Sequence, residues 1–402
     1  MLKKHIDNIR HHFEPGGKFF AFKSVFDGFE TFLYTPNSTS QSGSHIHDSL
    51  DSKRVMIIVV LALMPCLLFG MYNTGYQNFL ASGFKEFPFW QIMAYGFLAV
   101  LPRIMVTYVV GLGIEFIVAQ WRKEEIQEGF LVTGILIPLI CPIETPLWML
   151  GVATAFSVIF VKEVFGGTGY NIFNVALVTR AFLFFAYPAS MSGDKVFIAS
   201  EPICGLGGTV NFADGVSGAT PLGQIANSQG GNLEIHNILG ADITTWDAFL
   251  GLIPGSFGET STLCILIGAI LLLSAGIASW RIMLSVIAGG IVMGWIANLF
   301  ANPIYPASYL NPLDQLLYGG FAFAAVFMAT DPVTASRTGS GKFIYGFLTG
   351  VIAILIRVYN NGYPEGAMLA VLLMNALAPL IDWCVVEVNV NKRLKRAKNV
   401  EL

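Results

Sequence analysis

Charge is scarce in this sequence. Asp, Glu, Lys and Arg make up 12% of its 402 residues, where an ordinary soluble domain carries about 25%. Hydrophobic residues make up 54% and the mean hydropathy is +0.63. Too little charge is present to clothe a water-facing surface, so the composition points to an integral membrane protein. Cysteine is sparse as well. Cys66, Cys141, Cys204, Cys264 and Cys384 are widely scattered, with no Cys-x-x-Cys. That argues against a complete metal or iron–sulfur site within this chain, though a half-site shared with another subunit stays open. No basic footprint is present, which argues against nucleic acid as a partner. No continuous apolar core precedes a cleavage site in the first 54 residues, so no signal peptide is expected.

What is there is apolar sequence in blocks. Residues 1–54 are polar except for Phe19, Phe22, Phe26, Phe29 and Leu33, which recur at helical spacing. They predict an amphipathic helix on a membrane surface or a partner subunit. A Ser/Thr/Gly-rich linker, "TPNSTSQSGS", follows. Ten apolar segments of near-spanning length come next, at about 55–72, 89–119, 129–142, 147–163, 172–189, 261–279, 283–300, 315–330, 343–359 and 366–385. The third and eighth are short and end at Pro142 and just before Pro332; broken spans of this kind line buried sites rather than face lipid.

The basic residues fix an orientation. With the N-terminus in the cytoplasm, the inner segments hold Lys53, Arg54, Arg122, Lys123, Lys162, Arg281, Arg337, Lys342 and the tail "NKRLKRAK". The outer loops hold only Lys85 and Lys195. The expected organisation is therefore a cytoplasmic segment 1–54, five spans in 55–189, an outer loop 190–260, five spans in 261–385, and a basic cytoplasmic tail 386–402. An internal echo accompanies it. "EGFLVTGILIPLICP" (128–142) is similar to "GGFAFAAVFMATDP" (319–332), and "VFGGTGYNIFNVAL" is matched more loosely by "VYNNGYPEGAML". The copies start from opposite faces, so the fold class expected is an all-α polytopic membrane protein of about ten transmembrane helices with an inverted repeat.

Charged residues within spans call for partners. Arg103, Arg180 and Arg357 fall inside them, and Glu115, Glu128, Glu144, Glu163, Asp331, Glu365 and Asp382 sit in spans or near their ends. They could form a cation path or clamp a polar ligand, or they could pair with the arginines. Asp331 stands out at the break of a short span. "FGGTGYNIFN" (165–174) could bring backbone donors to a phosphate or a flavin ring, or be a glycine turn between helices. His45 and His47 could bind metal but lie in a polar linker without cysteine. "DGVSGATPLGQIA" (214–226) is small and polar. Thr220 suits an N-cap and Pro221 the first helical position. A phosphate ester at such a helix start would meet free N–H groups and the helix dipole, and Gly218 and Ala219 leave room for a bulky group.

"DGVSGAT" resembles the acceptor motif on which a flavin transferase attaches FMN to threonine through its phosphate. "GGTGYNIFNVALVTRAFLFFAYPA", "IPGSFGETSTL", "GGFAFAAVFMATDPVTAS" and "YPEGAML" resemble the B subunit of the sodium-translocating NADH:quinone oxidoreductases, from about residue 50 to the C-terminus. The D subunit of the Rnf complex shares the acceptor motif but lacks a long N-terminal extension, so the 54-residue segment favours the NADH:quinone family. "NVAL" departs from the usual "NPAL" at Val175. The resemblance implies covalent FMN on Thr220, with Asp214, Gly215, Ser217 and Gly218 around it, on the outer face. It implies non-covalent riboflavin, which we place near Asn171 and Asn174, and cation uptake at Glu128, Asp331 and Asp382. The cofactors would carry the redox chemistry, so no side chain is expected to be catalytic and no metal is expected.

It further implies a six-subunit complex in a bacterial inner membrane, with both termini cytoplasmic. Its partners would be an NADH/FAD/iron–sulfur subunit, a second covalent-FMN subunit, small membrane subunits, quinone and Na+. Quinone would dock at the inner face around spans two and three and the N-terminal amphipathic segment. Two alternatives stay open: an Rnf-type electron relay, and an inverted-repeat transporter without redox chemistry.

Overall fold

The computed structural model describes residues 8–13, 17, 19–20, 23, 26, 30, 43, 52–84, 88–122, 129–191, 197–210, 218–228, 233, 235–360 and 362–400. Phe22, Phe29, Leu33, the 35–42 linker, His45, His47, Glu128, Asp214, Gly215 and Ser217 lie outside these residues. The described residues form helices joined by turns and loops, with no strand and only three isolated bridges.

In chain order the helices are α1 Ser52–Ala81, α2 Phe89–Arg122, α3 Phe130–Ile140, α4 Leu147–Ser157, α5 Val175–Ala186, α6 Pro221–Asn227, α7 Thr245–Leu250 and α8 Thr262–Ser274. After them come α9 Trp280–Leu299, α10 Asp314–Leu317, α11 Phe321–Phe323, α12 Gly339–Tyr359 and α13 Ala367–Val400. Two π-helical turns extend this set, Val158–Glu163 after α4 and Ala324–Met328 after α11. Each of the ten apolar segments contains helix, and the eighth is broken at 318–320. Five (α1, α2, α9, α12 and α13) are long and apolar enough to cross a membrane, while α3, α5 and α8 are apolar but shorter. Together they make an all-α, multi-pass membrane protein.

Small residues let the helices approach closely, as is common where lipid supplies no hydrophobic drive between them. A Cβ at Gly350 on α12 would come within 2.7 Å of the Gly290 nitrogen on α9. The 197–210 segment is held down by polar residues of the long helices. Asn78 of α1 donates to the carbonyls of Ala199 (2.8 Å) and Gly208 (3.0 Å) and accepts from the Gly208 N–H (3.0 Å). The Tyr95 hydroxyl of α2 donates to the Glu201 carbonyl at 2.6 Å. Gly207 between these anchors has φ +74°, and a Cβ there would meet the Tyr95 ring at 2.6 Å.

Candidate functional site

The two short helices α3 and α11 position the polar residues of the interior. The Gly258 N–H donates to the Leu139 carbonyl at 2.7 Å, which sets the next residue, Glu259, beside the C-terminal end of α3. The Glu259 carboxyl carbon would lie 2.7 Å from a Cβ at Gly320, the residue that begins α11. At their other ends, Gly129, just before α3, and Asp331, just after the π turn, line one cavity. The two short helices therefore run in opposite directions between two polar groups of residues.

The first group surrounds Thr220. The Thr-Pro pair folds as its residue types dictate. Thr220 is the N-cap of α6, in extended conformation, with its hydroxyl oxygen accepting from the Gly223 N–H at 3.2 Å, and Pro221 occupies the first position. Gln224 fixes this short helix from the side, donating to the carbonyls of Ala219 (3.1 Å) and His236 (2.8 Å). Gly218 and Ala219 are buried. Thr220 opens onto a cavity of about 260 Å³ that it shares with Arg180, Phe184, Gly223, Tyr363 and Glu365. Glu365 also lines a second, smaller space beneath Thr220 with Glu259, Gly319 and Gly320.

Arg180 is buried and paired on both sides. Nη1 donates to the two carboxylate oxygens of Glu259 at 2.9 and 3.0 Å, and Nη2 pairs with the Glu365 carboxylate. A guanidinium at this depth is tolerated because its planar fork meets carboxylates directly. Arg357 is buried on different terms. It donates to the carbonyls of Gln315, Tyr318 (3.0 Å) and Glu365 (3.3 Å), so it closes the C-terminal end of α10 rather than a carboxylate.

The second group surrounds Asp331. Asn174 caps α5, its Oδ1 accepting from the Leu177 N–H at 3.2 Å while its Nδ2 donates to Asp331 Oδ2 at 3.1 Å. Asp331 also accepts from the Val333 N–H (3.0 Å) and the Thr334 hydroxyl (3.1 Å). A cavity of about 110 Å³ collects Asn171, Asn174, Asp331, Lys162, Thr133 and Thr168. The Thr168 hydroxyl is buried without a partner among the described residues, and Lys162 pairs with the buried Glu115 of α2. "FGGTGYNIFN" folds as a glycine turn, with Gly166, Gly167 and Gly169 at positive φ. Its Asn171 and Asn174 nevertheless face this cavity.

The remaining charged residues are distributed elsewhere. The Asp382 carboxylate accepts from the Ser336 and Thr338 hydroxyls (both 2.6 Å) and from the Arg337 and Thr338 N–H groups (2.8 and 3.0 Å). It thus ties α13 to the start of α12. Glu144 accepts from the Ser200 N–H at 2.7 Å, Arg122 donates to the Glu163 carbonyl at 2.6 Å, and Arg103 folds back on the Ala99 carbonyl. Reading the sequence missed Glu259, which stands inside the quoted "IPGSFGETSTL", and saw Lys162 only as an inner charge. Its place two residues before the sixth apolar segment is the one signal that could have marked Glu259.

Comparison with known proteins adds the relationship. The family model described as the NQR2, RnfD, RnfE family matches residues 39–391. The B subunit of the Na(+)-translocating NADH-quinone reductase of Stutzerimonas stutzeri (strain A1501) is 42% identical over 417 aligned positions, covering 98% of this chain and 99% of that protein. The protein of the same name from Ectopseudomonas mendocina (strain ymp) is 43% identical with the same coverage. The one from Chromohalobacter salexigens is 42% identical, covering 98% of this chain and 96% of that protein. With nearly the whole chain matched, this protein belongs to the NQR2, RnfD, RnfE family.

Proposed function

We propose that this chain is the flavin-carrying membrane subunit of a redox-driven sodium pump. In this reading electrons pass from FMN held covalently on Thr220 to riboflavin and on to quinone, coupled to Na+ export from the cytoplasm. The observation that carries it is the Thr220 hydroxyl at a helix start, opening onto a cavity of about 260 Å³ walled by Arg180, Tyr363 and Glu365. The buried Tyr363 hydroxyl has no partner among the described residues, as expected where a polar ligand is to complete the set. Gly223 keeps the threonine oxygen clear, since a Cβ there would stand 3.3 Å from it.

Bound flavin would supply one-electron chemistry between carriers. The chain's own residues do the rest. Thr220 holds the phosphate through its side-chain oxygen, and α6 fixes that oxygen against the cavity. Asn171, Asn174 and the orphaned Thr168 hydroxyl suit a polar, uncharged second flavin at the other end of the short helices, and Asp331 beside them suits a cation. The names of the relatives, each the B subunit of a Na(+)-translocating NADH-quinone reductase, favour this reading over an Rnf-type relay. They also support membership of a multi-subunit complex. The ten-span inverted repeat, the inner-membrane location and the cytoplasmic termini belong to the same proposal.

Co-expression with a flavin transferase tests it. The denatured wild-type chain should fluoresce as a flavin in a gel, and Thr220→Ala should be dark. A dark wild-type chain, or a fluorescent Thr220→Ala chain, would reject the assignment. Photolabelling of this chain by a quinone analogue in the active complex separates the quinone-reducing reading from the relay, which predicts no label.

A further inference from the structure

The cavity at Thr220 has a charged wall that a mere attachment point does not need. Arg180 lines it, is only 4% exposed, and is clamped by Glu259 and Glu365. Arg357 stands behind, donating to the backbone carbonyl of Glu365 at 3.3 Å. Two guanidinium groups and two carboxylates are thus gathered at one end of α3 and α11, with Tyr363 and Cys141 as their titratable neighbours. The groups differ in what they face. Arg180 and Glu365 reach the larger cavity, whereas Glu259 reaches only the smaller space.

We propose that Arg180 sets the reduction potential of the flavin on Thr220, and that Glu365 sets how much of the arginine's charge the flavin feels. The inference rests on the reading of Thr220 as the attachment point. The step concerned is a one-electron transfer. A flavin held there would take one electron from an upstream carrier and pass it to the next, with no bond to the protein made or broken. Its reduction would add one negative charge to the ring. A fixed guanidinium at the same low-dielectric cavity lowers the energy of that charge, and a carboxylate beside it raises it. Arg180 cannot swing away to screen the change, because three of its hydrogen bonds hold it. It is a positioning and potential-setting residue, not a catalytic one.

The test is a redox titration of the flavins in the intact complex, with in-gel fluorescence run in parallel. Glu365→Gln removes the competing negative charge. It should raise the covalent flavin's potential, making the reduced form at least tenfold more populated at a given poise, which is about 59 mV for a one-electron couple. Arg180→Gln should move it the other way by a similar factor, and Arg180→Lys, which keeps the charge, should stay within about threefold of wild type. If Arg180→Gln does not assemble, Glu365→Gln and Arg180→Lys still decide the matter. A purely structural ion pair would lower the melting temperature in these variants and leave the potential in place. Unchanged potentials with fluorescence intact would overturn the proposal and spare the Thr220 reading. A wild-type chain without fluorescence would instead overturn that reading.

Discussion

Asn174 does two jobs with one side chain, capping α5 and donating to Asp331 at 3.1 Å. Asn174→Ala should therefore lose a cap, worth about 1 kcal/mol, and a hydrogen bond to a half-buried carboxylate, worth about 1.5–3 kcal/mol. Asn174→Asp keeps the cap but sets two carboxylates together, so it should melt no higher than Asn174→Ala. A melt of Asn174→Asp at the wild-type temperature would show that the contact with Asp331 carries nothing. The buried pair Lys162–Glu115 makes a matching case. Lys162→Met alone leaves a carboxylate unpaired and should cost about 3–5 kcal/mol, whereas Lys162→Met with Glu115→Leu should recover most of it. Thermal denaturation of the single and double variants checks this; a double variant no better than the single would contradict it. Thr220 as a cap was legible in the sequence, because Thr-Pro after small residues has few other conformations. The company it keeps was not. Arg180 meets Glu259 and Glu365 across 79 and 185 positions, and no local pattern encodes such a meeting.

The elements show the same division. Ten apolar runs predicted the helices well, because apolar length is a strong signal. The breaks at Pro142 and before Pro332 marked α3 and α11, the helices that bring the two polar groups to their ends. What could not be read was how the 197–210 segment packs, since its anchors are single side chains, Asn78 and Tyr95, on distant helices. Asn78→Ala should loosen it. The expected result is faster proteolytic nicking near residues 197–210 in membrane vesicles, with the chain still inserted; an unchanged nicking rate would mean that Asn78 is dispensable. Gly350→Leu should do more harm than Gly350→Ala, because the Gly290 backbone would stand 2.7 Å from even the first added carbon. Overpacking of this kind costs about 1–3 kcal/mol or more.

For the whole molecule, the charge bias gives an orientation that side-specific labelling can check. Cys204 is exposed in the segment assigned to the outer face. In intact cells an impermeant maleimide should reach it, while a cysteine placed at Lys395 in the basic tail should react only in inverted vesicles. The reverse pattern would invert the topology and put Thr220 on the cytoplasmic face. The family, and with it the sodium-pump reading, was legible through its motifs rather than through any general rule of composition. The redox role proposed above depends on one bond, which the proposal puts between a flavin phosphate and the Thr220 oxygen. Mass spectrometry of the peptide spanning residues 197–228, from a chain co-expressed with the transferase, measures it directly. The expected result is a peptide carrying the mass of an FMN phosphoester localised to Thr220. An unmodified Thr220 peptide, or a flavin found on any other residue, would contradict it.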